Sequence, residues 1–249
     1  MVSLQSSTPV IYPDSDGKPM ADNTKQFRWI VVIQQNLDWL FAKDANVFVA
    51  GDLLWYPIEG NNKICTAPDT LVVFGRPKGD RGSYKQWEEA NIPPQVVFEI
   101  LSPSNTRTEM EKKLLFYDRH GVEEYYVYDP DRVELEGWQR REGYLDIIDP
   151  MQDWISPRLN IRFDLSQEEL QLYHANGAKF LTYTEIAQQA QQAQQEAQQA
   201  QQEAQQAQQE AQQAQHRATQ AEAALDEERR RAQALAERLR AAGIDPDSI

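Results

Sequence analysis

What this chain of 249 residues lacks narrows its possibilities at once. It has a single cysteine, Cys65, so no intramolecular disulfide can staple it, and a reducing compartment suits it. Set in the run KICTAP, that thiol reads as a small apolar filler rather than a reactive group. No window approaches the roughly 20 consecutive apolar residues of a membrane span. The opening MVSLQSSTPVIYPDSDGKP has neither the basic start nor the apolar run of a secretion signal. A cytoplasmic protein without membrane contact is the expectation. The three histidines are scattered, and no His, Cys or Asp grouping has zinc spacing. The phosphate-cradling patterns GxGxxG and GxxxxGKS/T are absent, as is the nucleophile elbow of a serine hydrolase.

Surplus positive charge is missing too. A formal charge of −14 argues against a broad electrostatic grip on a polyanion, which normally relies on excess Lys and Arg. A bound divalent ion, with a local cluster such as Arg76, Lys78, Arg81 and Lys85, can reverse that sign within one cleft.

Aromatic residues are distributed unevenly. Up to about residue 185 the chain is rich in Trp, Tyr, Phe, Val and Ile; from Ala187 onward it contains no aromatic residue and is dominated by Ala, Gln, Glu and later Arg. Only the first part can build an aromatic core. The division expected is a loop over residues 1–19, a globular domain over 20–170, a connector over 171–186, a heptad-repeat helix over 187–242 and a short extension over 243–249.

Within the globular part, Asp22 and Asn23 stand where an N-cap belongs. The following NTKQFRWIVVIQQNLDWLFAKD spaces Phe27, Ile30, Val31, Leu37, Leu40 and Phe41 for a helix packed on a sheet. The stretch VFVAGDLLWYPIEGNNKICTAPDTLVVFG contains two or three β-rich runs around the turn EGNN, read as an antiparallel hairpin whose outgoing strand includes Leu71 to Phe74. Polar turn formers fill residues 77–94. The run VVFEIL is apolar enough for a central strand covered on both faces. In TRTEMEKKLLFYDRHG, Thr108 and Glu111 fit a capping box, Gly121 a C-terminal stop, and Met110, Leu114 and Tyr117 a buried face. Strands are expected at EYYVYD, VELEGWQ, GYLDII and LNIRFD. This order belongs to the mixed α/β class, with a central sheet flanked by helices.

Two acids interrupt these apolar runs. Asp69 sits just ahead of a strand, and Glu99 lies inside the central one, on the face of Val97 and Leu101. Burying a carboxylate without a partner is costly, so a pair on successive strands points to a shared cation and metal-assisted phosphodiester chemistry. Each acid also has a structural reading: a buried ion pair for Glu99, and an Asx turn or cap for Asp69. Lys113 and Lys112 are neighbours on the next helix, and spacing alone does not choose between them. For Lys113 the plainer role is an i,i+4 ion pair with Glu109. Asp22 and Asp52 are further acids nearby. Ser102, Ser104 and Thr106 read as loop and capping residues.

The chained runs PDTLVVFG, VVFEILSPSN and EKKLLFYDRHGVEEYYVYDP resemble the Uma2 (DUF820) family of restriction endonucleases, abundant in cyanobacteria and placed in the PD-(D/E)XK nuclease superfamily. The resemblance spans roughly residues 22–164. It implies a restriction-endonuclease-like α/β core acting on DNA with Mg²⁺, or Mn²⁺ in its place. Asp69 then corresponds to the Asp of the PD element and Glu99 to the following acid, as metal ligands. Leu101 occupies the usual place of the lysine, and the family spacing of four residues before Tyr117 selects Lys113 instead. The superfamily's extra acid from the first helix has Asp22 as its nearest counterpart, a third metal ligand if not a plain cap.

In the tail, alanines recur at alternating spacings of three and four from Ala190 to Ala221, and Leu225, Ala232, Leu235, Leu239 and Ala242 continue the seam. A rod of this kind calls for a partner, so residues 187–242 are expected to self-associate, and a twofold pair could offer two sites to antiparallel DNA strands. The alternatives are a solvated single helix, a nuclease fold retained only for binding or assembly, and a coiled-coil protein with a globular cap.

Overall fold

The computed structural model describes residues 10–243, and the chain divides into two compact units, Met1–Tyr183 and Thr184–Ile249.

In the first unit, helix α1 (Thr24–Leu40) opens at Asn23, whose side chain accepts a hydrogen bond from the Gln26 amide at 2.8 Å. Its buried stripe is Trp29, Ile30, Ile33 and Leu37, the i, i+1, i+4, i+8 pattern of one helix face. Phe27, expected on that stripe, is exposed, and Trp29 takes the core position, packing edge-on to Tyr128 at 4.8 Å.

The six-stranded sheet has the order β1 (Val47–Ala50), β3 (Thr70–Phe74), β5 (Val96–Ile100), β6 (Glu124–Asp129), β7 (Glu134–Arg141) and β8 (Tyr144–Ile147). Only β5 and β6 run parallel, and helix α2 (Arg107–Arg119) makes the crossover that such a pair requires. The other neighbours are antiparallel. Between β1 and β3 the chain leaves the sheet to form β2 (Trp55–Tyr56), which pairs in parallel with β4 (Tyr84–Lys85); the expected hairpin therefore carries a long excursion at its tip. A further pair, β9 (Arg162–Asp164) and β10 (Gln171–Tyr173), completes the unit. The mixed α/β architecture is the one the residue pattern implies.

Strand alternation sends Val96, Phe98 and Ile100 to the α1 face and Val97 to the α2 face, so β5 is buried throughout. Burial of each such side chain contributes on the order of 1.5–3 kcal/mol. Helix α2 starts two residues earlier than its capping pattern suggests. Thr106, not Thr108, is the N-cap, accepting from the Glu109 amide at 3.2 Å. Gly121 follows its C-cap at φ +89°, a left-handed turn that glycine adopts without strain.

The regular structure described for the second unit is helix α3, which begins at Tyr183 and ends at Ala241. Among the described residues no helix is long and apolar enough to cross a membrane.

Candidate active site

The two acids and the lysine come from three separate elements. The β3–β5 register pairs Thr70 with Phe98 and Leu71 with Val97; continued one step, it sets Asp69 opposite Glu99. Both lie on the face covered by α2. There Lys113 Nζ is 2.7 Å from Glu99 Oε2, and the Tyr117 hydroxyl donates a hydrogen bond to Glu99 Oε1. Asp69 Oδ2 accepts a 2.6 Å hydrogen bond from the Ile100 amide. Glu99 is only 3% exposed, while the Lys113 side chain keeps 21% of its surface, so the acid is the more deeply set of the two.

Helix geometry explains the choice of lysine. Lys113 and Tyr117 stand four apart on one face of α2 and converge on Glu99, whereas Lys112 points outward and is exposed. The four-carbon stem lets an ammonium arrive from a helix instead of from the strand position that Leu101 fills. Leu101 packs instead into the apolar cluster beneath α2.

Electrostatics tie these groups together. Burial pushes the Asp69 carboxyl well above the usual carboxylate range, Glu99 adds to the rise, and Lys113 and the Ile100 amide oppose it. For Lys113 burial works against the charge, but Glu99 and Asp69 outweigh it and hold the ammonium above its ordinary range. Asp52 follows β1, and its amide donates to the Pro68 carbonyl at 3.1 Å, so it stands beside Asp69 on the neighbouring strand. Burial raises its carboxyl, Asp16 raises it further, Lys113 lowers it and Glu99 raises it. Tyr117 is driven far up by burial and by Glu99, and so remains a neutral donor.

Among the contacts of the described residues, Asp22 meets none of Asp69, Glu99 or Lys113 and engages two hydroxyls instead. It accepts hydrogen bonds from Ser102 Oγ at 2.7 Å and from Ser104 Oγ, which lower its carboxyl, and it stitches the loop after β5 to the start of α1. Asn23 is the cap of that helix. The basic cluster is not a free patch. Arg76 and Arg81 both bond Glu89, at 2.7 and 2.6 Å, Lys78 pairs with Asp38 at 3.0 Å, and Lys85 lies 3.7 Å from Glu88. Cys65 is partly buried and its thiol is pushed up, which keeps it protonated.

Tyr117 was visible in the sequence only as a core residue. Its polar role had a signal nonetheless: a glutamate inside an apolar strand needs donors, and a helix face carrying Lys and Tyr four apart supplies two.

Whether these residues suit a metal follows from the donors. Asp69 and Glu99 are hard oxygen ligands on adjoining strands, with the Lys113 ammonium on Glu99, and the Asp69 carboxyl is raised first by burial and then by Glu99. Mg²⁺ is commonly held by one or two carboxylates, water and substrate phosphate. The two carboxylates are of the donor type such an ion takes, although among the described residues no three or more His, Cys, Asp or Glu side chains form a group that could hold a metal ion.

Comparison with known proteins gives two findings. A family model for Uma2, described as "Putative restriction endonuclease", matches residues 18–172. Among solved structures, similarity extends to the crystal structure at 1.96 Å of "a putative nuclease belonging to DUF820" from Anabaena variabilis ATCC 29413, with 17% identity and a TM-score of 0.45, covering 61% of this chain and 85% of that one. No curated protein matches.

Proposed function

Because the chain belongs to the Uma2 family, we propose that its globular unit is a Mg²⁺-dependent endonuclease acting on DNA, with Asp69 and Glu99 as metal-holding carboxylates and Lys113 as the cation beside the scissile phosphate. The observation that carries this reading is the convergence of Lys113 on Glu99 from α2, with Asp69 opposite Glu99 on the adjoining strand. When bound, the ion would polarise the phosphoryl group and generate a nucleophilic hydroxide from water; Mn²⁺ would serve in its place.

The chain's own residues do the rest. The Ile100 amide orients Asp69 through one oxygen, and the Tyr117 hydroxyl fixes Glu99 so that its other oxygen meets Lys113. The ammonium, held charged by its two acidic neighbours, orients the attacking water and offsets negative charge developing on the phosphate. Self-association through α3 completes the proposal.

The test is conversion of supercoiled plasmid to nicked circles by the purified chain with Mg²⁺ or Mn²⁺. Asp69→Ala and Lys113→Ala should each slow nicking by about 10²-fold or more, the usual cost of losing one preorganised charge. Nicking that survives both substitutions overturns the assignment.

A second reading, a nuclease fold kept for binding, draws on the ion pair that engages Lys113 and on the pairing of the basic cluster with Glu89, Asp38 and Glu88. Calorimetric titration of Mn²⁺ into the full chain separates the two: tight binding without any nicking favours the second.

A further inference from the structure

Helix α3 buries none of its residues, yet it carries an apolar face along its length. Written as heptads, alanines fill positions a and d from Ala190 to Ala221, and the same register puts Ile186, Leu225, Leu235 and Leu239 on the seam. Leu225 and Leu235 are 50% and 60% exposed, an aliphatic face left in water.

The seam says that a helix could pack there, and the flanking charges say which one. Position g reads Glu196, Glu203 and Glu210 along the first half, then Arg217, Ala224, Arg231 and Arg238 along the second. One edge of the helix is thus acidic at its start and basic at its end. A parallel partner would bring g against e of the other copy, where Glu196, Glu203 and Glu210 meet only glutamines at 201, 208 and 215. Parallel alignment would also press Glu228, which occupies a d position, against its own copy.

Reversing one helix removes both problems. In an antiparallel pair g faces g, and with the helices overlapped end to end Glu196 meets Arg231 of the second copy while Glu210 meets Arg217, each contact occurring twice by symmetry. Glu228 then faces Ala197, and Ile186 packs on Leu239. We propose that α3 pairs antiparallel with α3 of a second copy of this chain, in the register set by Glu196 against Arg231 and Glu210 against Arg217. This rests on the self-association reading and is independent of the nuclease reading.

A helix of 59 residues spans roughly 90 Å, so in this pairing the two chains enter α3 at opposite ends of the helix pair.

The experiment uses the full chain with Cys65→Ser and a spin label on Gln195→Cys, an outward f position. Antiparallel pairing puts the two labels about 55 Å apart by helix rise, and parallel pairing about 25 Å or less. In sedimentation equilibrium, Arg231→Glu should weaken the dimer roughly tenfold by turning two attractions into repulsions, and Glu196→Arg in the same chain should restore it. A long distance with charge-swap rescue supports the proposal. A short distance overturns the orientation and leaves self-association standing, whereas a monomer at all concentrations overturns both.

Discussion

Replacing Asp69 with asparagine should make the metal-free protein more stable. The carboxyl stands well above its ordinary value of 3.8, first through burial and then through Glu99, so the folded chain binds a proton there more readily than the unfolded one. Across the window above that ordinary value, stability therefore falls as pH rises through the folded-state titration. Ionising the side chain in the folded state is a net cost, limited in size because Lys113 and the Ile100 amide offset part of it. Asparagine keeps an oxygen to accept the Ile100 bond and removes the charge. Relief of strain at a functional site of this kind is worth about 1–2 kcal/mol, which raises Tm by about 2–8 °C in a domain of this size. The gap should close near pH 4, where the wild-type carboxyl is already protonated. Saturating Mg²⁺ should reverse the order, since wild type gains about 2.7 kcal/mol at a hundredfold excess over Kd and the variant gains almost nothing. Thermal melts from pH 4 to 8, in EDTA and in Mg²⁺, read all of this. A variant less stable than wild type at pH 7 in EDTA, or equal Mg²⁺ shifts in both proteins, would refute the reasoning.

Lys113→Met should destabilise the fold by about 2–3 kcal/mol, somewhat below the usual cost of orphaning a buried carboxylate because the lysine is partly exposed. Adding Glu99→Gln should recover most of that loss in urea denaturation; strictly additive losses would contradict the pairing. Glu89→Gln should release Arg76 and Arg81, which both bond that carboxylate. Fluorescence anisotropy with duplex DNA should then show tighter binding and a salt slope steeper by about one to two, and an unchanged slope would show that these arginines do not face the nucleic acid.

Much of the fold was legible because its cause is local. The continuous apolar run VVFEIL demanded a doubly covered strand, and β5 is buried on both faces between α1 and α2. Asp69 and Glu99 stood out as acids in apolar company, and their shared face follows from the period of two. What stayed hidden depends on three-dimensional neighbours. Nothing in the spacing of α1 distinguishes Phe27 from Trp29; the edge-on contact with Tyr128, about a hundred residues away in sequence, decides which is buried. The choice of Lys113 over Lys112 came from family spacing, and the physical reason is the rotation of α2 that Tyr117 and Glu99 set together. Asp22 illustrates the opposite limit. An acid at a helix start can cap, bind metal or tie down a loop, and only the hydroxyls of Ser102 and Ser104 reveal the loop contact.

The acidic balance of the chain, which counts against a nuclease when read globally, takes a different meaning once the charges are located. The four cations of the cluster near Pro77 are paired with three acids, Glu89 serving two of them, so that segment offers phosphate little net attraction. Lys113, by contrast, stands on Glu99 with Asp69 opposite on the adjoining strand, and both acids hold its ammonium charged. A divalent cation would supply the charge that such a cleft lacks and would turn it from repelling a phosphodiester to attracting one. On this argument nucleic-acid binding should depend steeply on divalent ion and shallowly on monovalent salt. That combination is the reverse of a basic-patch binder, whose affinity is carried by counterion release.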